Sequence, residues 1–174
     1  MSEVVVIASS TPDAASALAR RLAARGARVA VLTAERKPLP DMAREMVQAG
    51  SPAALTIPCD LTNPEAVGEA AIEIERTLGP IDRWINTAMT DLKFVYATHA
   101  ALHAMRGRDR GAVVQVGAPH TIRIFTESLR NELRLAGSHV SLESVRGYPF
   151  RRVGAAVIAG AAALGLVLLR RLVR

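Results

Sequence analysis

The sequence is short of several residue types on which particular folds and binding sites depend. Its single cysteine, Cys59, excludes a disulfide framework within the chain and fits a reducing compartment. Aromatic residues make up 3% of the chain, and two of its 22 basic residues are lysines. The arginines are dispersed and form no basic stripe interleaved with aromatic residues, which is the pattern expected of a nucleic-acid surface. We therefore expect no nucleic-acid partner, despite a net charge of +6.

Glycine is absent from the first turn of the chain. A β-branched run at Val4–Ile7, a helical pattern at Ala14–Arg25 and a second apolar run at Val29–Leu32 predict a βαβ unit. Such a unit is the usual start of a nucleotide-binding domain. Residues Ala8–Ala15, which join its first strand to its helix, contain no glycine. This turn therefore lacks the bare backbone that such loops usually present to a phosphate.

The rest of the sequence alternates regularly between strand and helix patterns. Apolar runs predict six strands, at Val4–Ile7, Val29–Leu32, Ala53–Ile57, Trp84–Ile85, Ala112–Val116 and Val140–Val145. Helical patterns lie between them, at Ala14–Arg25, Asp41–Gln48, Pro64–Leu78, Leu92–Met105 and Ile122–Leu135. Short connections between alternating elements favour a parallel sheet with helices on both faces. The predicted fold class is α/β, a Rossmann-like doubly wound parallel sheet of about six strands, followed by a C-terminal hydrophobic helix.

The C-terminal end differs from the rest of the chain. Val153–Leu169 is an uninterrupted run of 17 uncharged, apolar residues with arginine pairs on both sides. A helix of this length measures about 25 Å, which is at the short end of what crosses a bilayer core. We predict a domain over residues 1–149 and a transmembrane or membrane-anchoring helix over residues 150–174, with the domain in the cytoplasm. The alternative is a helix buried in a soluble protein.

Five segments, in order, resemble elements of the short-chain dehydrogenase/reductase family. They read "ALARRLAARGARVAVL", "IPCDLTNPEAV", "LGPIDRWINTA", "GAVVQVG" and "FTESLRNELR". None of them is specific alone, but together they identify a member of the family from Val4 to about Pro149. The resemblance implies a Rossmann fold, NADP or NAD as the cofactor and oxidoreductase chemistry.

The resemblance implies that the cofactor pyrophosphate lies at the turn after the first strand, where relatives have glycines. Here that turn leaves Ser9, Ser10 and Thr11 as the predicted cofactor-binding residues. Thr11 can cap the following helix and Pro12 suits its first position. Asp13, in the first turn of the helix, would repel a phosphate. We expect the turn to keep its role in the fold and to have lost its phosphate cradle.

Three further cofactor-binding residues are carried over from the family. Arg36 follows the second strand, where an arginine favours NADP, although a solvated charge cluster is the alternative interpretation. Asp60 matches the aspartate that meets the adenine, and Asn86 matches the first asparagine of the family's Asn-Asn-Ala-Gly. Met89 replaces the glycine of that motif, and we expect its bulk to intrude on the cofactor slot.

The catalytic set implied by the resemblance is missing. Relatives use a serine after the fifth strand and a Tyr-x-x-x-Lys on the next helix for general acid–base catalysis. Here Ala118 stands at the serine position and Thr90 at the position of an asparagine, and neither Tyr96 nor Tyr148 is followed by a lysine four residues later. About 20 residues that carry the tyrosine and lysine are absent by comparison with the family's loop and helix lengths. We predict no catalytic residue, weak or absent cofactor binding and impaired turnover.

No metal site is expected. His99 and His103 have the i, i+4 spacing of a metal-binding pair, but the sequence suggests no third ligand nearby.

Three functions remain open from the sequence. The first is an anchored oxidoreductase with a rearranged site that acts on a lipid-like carbonyl or alcohol. The second is a non-catalytic scaffold or partner-binding module that forms a homo- or hetero-oligomer through helices 92–105 and 122–135, which relatives use for pairing. The third is a truncated or artificial version of a longer enzyme, with no role of its own.

Overall fold

The computed structural model describes residues 2–36 and 39–145. Six strands form one sheet: β1 (Val4–Ser9), β2 (Arg28–Thr33), β3 (Ala54–Pro58), β4 (Arg83–Thr87), β5 (Arg110–Val116) and β6 (His139–Val145). Five helices connect them: α1 (Pro12–Ala23), α2 (Leu39–Gln48), α3 (Pro64–Leu78), α4 (Asp91–Arg106) and α5 (His120–Leu135). The prediction of six strands alternating with helices is confirmed.

The strand order is β3-β2-β1-β4-β5-β6, and every neighbouring pair is parallel. This order places β1 between β2 and β4, so the chain turns back from one half of the sheet to the other at that point. The Rossmann-like, doubly wound α/β fold is therefore confirmed. The predicted C-terminal helix lies outside the described residues.

The sheet is buried because helices cover both of its faces, which suits strands made of consecutive apolar residues. Helices α1 and α2 pack with Val5, Ile7, Val29 and Val31 in one core cluster. Helices α3, α4 and α5 pack on the opposite face, in a larger cluster that includes the fully buried Trp84. Successive residues of a strand point to opposite faces of the sheet, so alternate residues pack against α1 and α2 or against α3, α4 and α5.

Helix α3 begins at Pro64, where the helical pattern Pro64–Leu78 predicted its start. Asn63 is the N-cap residue, and its Oδ1 accepts hydrogen bonds from the backbone N–H of Glu65 at 3.0 Å and of Ala66 at 3.3 Å. Pro64 occupies the first helical position, as predicted. The chain leaves the helix through Gly79 at φ 95°, a conformation that favours glycine.

The start of α1 agrees only partly with the prediction. Thr11 is the N-cap residue and Pro12 is the first helical residue, but the Thr11 side chain makes no capping hydrogen bond. The helix ends at Ala23 and not at Arg25, because a turn leads to Gly26 at φ 79°. The first turn of α1 therefore lacks the side-chain cap that the sequence suggested.

Strands β1 and β4 extend beyond their apolar runs at the carboxyl edge of the sheet. Strand β1 continues through Ser9, and β4 extends from Arg83 to Thr87 around the predicted Trp84–Ile85. Polar residues at these positions still pair with neighbouring strands, as Ala8 does with Asn86 and Ser9 with Thr87. Hydrophobicity alone therefore underestimated both strands where they approach the edge of the sheet.

The predicted membrane anchor, residues 150–174, lies outside the described residues and therefore stays a prediction. Among residues 2–36 and 39–145, no helix is both long enough and apolar enough to cross a membrane.

Candidate functional site

The candidate site lies at the carboxyl edge of the sheet, between β1 and β4. In doubly wound folds, ligands bind in the crevice at this reversal of strand order. Ser10 and Thr11 form the whole connection between β1 and α1, and Ala88 to Thr90 join β4 to α4. The N-terminus of α1 opens on the same edge, where its free N–H groups favour an anion.

The turn after β1 is held by its own side chain. The Oγ of Ser9 donates a hydrogen bond to the carbonyl oxygen of Thr11 at 2.9 Å and accepts one from the backbone N–H of Thr11 at 3.2 Å. Ser9 is fully buried, Ser10 is partly buried and Thr11 is exposed. Of the three predicted residues, Ser10 and Thr11 therefore present surface to the crevice, while Ser9 fixes the shape of the turn.

Lys93 is a residue of the site that the sequence analysis missed. Its Nζ, in the first turn of α4, donates a hydrogen bond to the Oγ of Ser10 at 3.1 Å. The two residues are 83 positions apart in the chain, so the contact bridges the crevice from the β4 side to the β1 side. The available signal was compositional, because Lys93 is one of only two lysines in a chain rich in arginine.

Asp60 is exposed in the connection after β3, and its carboxylate is organised by Thr62. The Oδ1 of Asp60 accepts hydrogen bonds from the backbone N–H of Thr62 at 2.9 Å and from its Oγ1 at 2.6 Å. These bonds lower the pKa of Asp60, and the charge of nearby Lys93 adds a smaller effect in the same direction. Asp60 is thus an ionised acceptor on the rim of the site.

Asn86 occupies the core and not the rim of the crevice. It is 0% exposed, and its Oδ1 accepts a hydrogen bond from the Nε1 of Trp84 at 2.8 Å. Its Nδ2 donates to Thr98 Oγ1 at 3.2 Å and to Gln115 Oε1 at 3.1 Å. The amide therefore connects β4 with β5 and α4. The assignment of Asn86 to cofactor binding stays a prediction, and the structure shows its part in holding the central strands.

The two residues that follow β4 also differ in their roles. Ala88 has φ 51°, a left-handed conformation that is unusual for a residue with a side chain. Met89 is 9% exposed and belongs to the core cluster on the α4 side of the sheet. The bulk of Met89, expected to intrude on the cofactor slot, is thus largely packed into the core.

The end of β2 contributes two further groups. Thr33 is 0% exposed, and its Oγ1 has no hydrogen-bond partner among the described residues. A buried hydroxyl without a partner is uncommon and calls for a physical explanation. Arg36, the predicted NADP determinant, is exposed in the loop that follows. Its role as a cofactor-binding residue remains a prediction.

The far end of the crevice, after β5, carries no acid–base group that the family uses. Gly117 follows β5, and its backbone N–H bonds the carbonyl oxygen of Val145 at 3.1 Å. Ala118 stands next, where relatives have serine. Tyr96 lies within α4, partly buried against the core cluster. Within residues 2–36 and 39–145, no serine, tyrosine and lysine are brought together here, and Tyr148 lies outside that part.

The described residues also show no arrangement suited to a metal ion or a reactive thiol. No group of three or more potential metal ligands occurs among them, and burial, together with nearby His103, lowers the pKa of His99. Cys59 is 4% exposed, and burial raises the pKa of its thiol to about 11. The thiol therefore remains protonated at neutral pH and is a packing residue.

Comparison with known families agrees with this geometry. A family model described as Enoyl-(Acyl carrier protein) reductase matches residues 13–168, which is most of the chain. The chain belongs to the short-chain dehydrogenase/reductase family. The match begins inside the first turn of α1, immediately after the turn in which this family member has no glycine.

Individual relatives are distant. The uncharacterized oxidoreductase YxnA of Bacillus subtilis (strain 168) is 26% identical, and the match covers 80% of this chain and 50% of that protein. The chain therefore spans about half the length of this curated relative.

Solved structures share the fold at low sequence identity. A short-chain type dehydrogenase/reductase from Mycobacterium marinum has a TM-score of 0.72 at 20% identity, covering 96% of this chain and 86% of that one. A metagenomic short-chain oxidoreductase in complex with NADP has a TM-score of 0.69 at 20% identity, covering 95% of this chain and 90% of that one. An NAD+-bound xylitol dehydrogenase has the same TM-score at 21% identity, covering 85% and 72%.

The two ends of the crevice fit a dinucleotide unequally. On the β1 side, the N-terminus of α1, Ser10 and the Lys93 ammonium offer donors to phosphates and hydroxyls. Asp60 offers an exposed acceptor beside them. On the β5 side, Ala118 has no proton to give. The donors and the exposed acceptor thus lie on the β1 side of the crevice, and the side chain of Ala118 offers neither on the β5 side.

Proposed function

We propose that this member of the short-chain dehydrogenase/reductase family binds NADP or NAD at the β1–β4 crevice, weakly and mainly through the adenine and phosphate half. The supporting observation is the set of donors at the carboxyl end of β1, where α1 begins and where Lys93 meets Ser10 at 3.1 Å. The nucleotide complexes of related folds support the same ligand class. Arg36, exposed after β2, favours the phosphate-bearing NADP over NAD.

We further propose that turnover is impaired. A bound nicotinamide supplies or accepts a hydride, and the protein must then add or remove a proton at the substrate oxygen. Around this crevice the chain offers Thr90 and Ala118 where relatives have an asparagine and a serine, and neither is an effective acid at neutral pH. Loss of general acid–base catalysis alone lowers rates by about 10²–10⁴. The competing proposal is an active oxidoreductase with a rearranged site and a lipid-like substrate.

A titration of the full-length protein with NADPH and with NADH, followed by fluorescence and calorimetry, tests both statements. We expect weak binding that favours NADPH, and no steady hydride transfer to ketone or aldehyde substrates. Asp60→Asn should weaken binding, because the amide keeps the shape and loses the charge, while Asp41→Asn on α2 serves as the control with the same chemical change. Absence of any dinucleotide binding contradicts the first statement, and steady turnover contradicts the second.

We propose, as a separate point, that the chain is a single-pass membrane protein anchored through Val153–Leu169 with its domain in the cytoplasm. The support is the length of that apolar run and the arginine pairs that flank it. A double substitution, Ile158→Arg with Leu164→Arg, should move the protein to the soluble fraction, since each central charge costs about 2.5–3.5 kcal/mol on insertion scales. Ile72→Arg with Leu135→Arg adds the same charges to exposed positions and should not. Recovery of the unmodified protein without detergent contradicts the anchor.

A scaffold role through α4 and α5 is the second candidate function. The observation that favours it is an exposed apolar side chain on α5, Ile124 at 54%, with Leu92 at 36% on α4. Under this proposal Ile124→Arg should convert an oligomer into a monomer in light scattering. Ile72→Arg on α3, at a position that is 69% exposed, is the matched control. A monomeric unmodified protein in mild detergent contradicts the pairing of these helices.

A further inference from the structure

The contact between Lys93 and Ser10 places a charged group at the turn after β1, where packing alone does not require one. An ammonium group from α4 crosses the crevice to the short turn after β1, where relatives of this fold receive phosphates on glycine backbone. Lysine has three N–H donors, and Ser10 uses one of them. The charge of Lys93 also acts on the nearby carboxylate of Asp60, whose pKa it helps to lower. Lys93 therefore brings a positive charge to a turn that lacks glycine.

Two independent features lie at the same corner of the sheet. The N-terminus of α1, a helix of 12 residues, has no side-chain cap from Thr11, so its first N–H groups face the crevice edge without that partner. On the neighbouring strand β2, the Oγ1 of Thr33 is fully buried and has no partner among the described residues. The N–H groups of α1 are donors that an anion could accept from, and the Thr33 hydroxyl is a buried donor without a partner beside them.

The alternation of side chains places Thr33 and Ser9 on the same side of the sheet. Val29 and Val31 on β2, like Val5 and Ile7 on β1, pack in the cluster under α1 and α2. On β2, Thr33 is two residues after Val31, and on β1, Ser9 is two residues after Ile7, so both side chains point to this same face. Each is the last residue of its strand, at the carboxyl edge of the sheet. The unpartnered hydroxyl is thus beside the turn that Lys93 reaches.

We propose that Lys93 and Ser10 form a side-chain phosphate clamp that holds the pyrophosphate of the dinucleotide, in place of the missing glycine backbone. This proposal rests on dinucleotide binding at the β1–β4 crevice. A lysine ammonium recognises phosphate as a point charge and needs no close approach of the main chain. It also offsets the negative charge of Asp13 in the first turn of α1, which would otherwise repel the ligand.

The clamp predicts a selective loss of phosphate binding. Titration calorimetry on the full-length protein in mild detergent, at one fixed ionic strength, would use NADPH, inorganic pyrophosphate and adenosine as probes. Lys93→Met should weaken binding of NADPH and of pyrophosphate about tenfold or more and leave adenosine binding unchanged, because only the first two carry phosphates. Lys93→Arg should retain most of the affinity. Arg134→Met, at the exposed end of α5, removes the same charge away from the crevice and should have no effect.

The outcomes of this titration separate the phosphate clamp from the proposal that the crevice binds a dinucleotide. If NADPH binds equally to the unmodified protein and to a folded Lys93→Met variant, the clamp is wrong and dinucleotide binding stands. If pyrophosphate binding depends on Lys93 but NADPH does not bind, the clamp stands as an anion site and dinucleotide binding is wrong. An equal loss for adenosine and for pyrophosphate in Lys93→Met would show a merely structural role and overturn the clamp, with the thermal midpoint of the variant as the check on folding.

Discussion

The indole Nε1 of Trp84 donates a 2.8 Å hydrogen bond to the side-chain oxygen of Asn86, two residues along β4. Both side chains are 0% exposed. The remaining capacity of the Asn86 amide is used by Thr98 on α4 and Gln115 on β5, and Gln115 itself donates to Thr98 at 2.6 Å. A closed polar network therefore lies within the apolar core and holds the central strands in register.

Breaking this network should destabilise the domain markedly. Asn86→Ala leaves the Trp84 N–H and the Gln115 oxygen buried without this partner, at about 1–3 kcal/mol for each such group. Urea unfolding followed by Trp84 fluorescence measures the change in the free energy of unfolding. Asn131→Ala on the exposed face of α5 is the control and should change it by no more than about 0.5 kcal/mol. Equal stability of the two variants would show that the network contributes nothing.

Cys59 should be inert in the folded protein. Its thiol pKa of about 11 leaves almost no thiolate at pH 8, because burial and the adjacent Asp60 charge both disfavour the anion. Labelling with iodoacetamide at pH 8 should be far slower than for the same protein in urea, where the pKa returns to about 8.5. Fast, stoichiometric labelling of the native protein would contradict this assignment.

Asp109 should make stability depend on pH, because it links the connection before β5 to the start of β6. Its carboxylate accepts from Ser138 Oγ at 2.7 Å and meets His139 Nδ1 at 2.8 Å. These bonds lower its pKa, so their stabilisation is fully present above the unfolded value of about 3.9 and is lost as the pH falls through the folded value.

Asp109→Asn tests this pH dependence without changing the backbone, because asparagine also tolerates the φ of 45° found here. The variant should have a lower thermal midpoint than the unmodified protein at pH 7, and the difference should shrink as the pH falls below about 4. Asp41→Asn, in an exposed i, i+3 pair with Arg44, should change the midpoint little at either pH. A difference that is constant with pH would contradict the role of the carboxylate.

Gly111 should not accept a side chain. It has φ 147°, and a Cβ there would lie 2.5 Å from the Sδ of Met105, which is fully buried. Gly111→Ala combines backbone strain with crowding of the core and should cost roughly 1–3 kcal/mol in chemical unfolding. Gly137→Ala, at φ 71° with open space around it, isolates the backbone strain and should cost less. A larger loss at Gly137 would show that crowding by Met105 is unimportant.

The sequence predicted most of the fold because its local signals agree with one another. The helical pattern Pro64–Leu78 predicted both ends of α3, and the structure has the helix at the same residues. The run at Trp84–Ile85 underestimated β4, because Asn86 and Thr87 are polar and their pairing with β1 and β5 is a long-range effect.

The candidate site was less predictable. The resemblance located Ser10 and Asp60, which present surface at the carboxyl edge of the sheet. It also proposed Asn86, which the structure buries, and it missed Lys93, which the structure brings to Ser10. Burial and contacts between residues 83 positions apart depend on how helices pack, and no local pattern encodes that packing.

The sequence by itself determined the alternation of buried strands and helices, the absence of glycine from the first turn and the absence of a Tyr-x-x-x-Lys motif. These properties follow from residue types at local spacing, because hydrophobic periods of 2 and 3.6 residues specify strands and helices directly. Only the tertiary structure decided which polar groups meet. Packing of α4 against the sheet brought Thr98 to Asn86, and the pairing of β1 with β4 brought Lys93 across to Ser10.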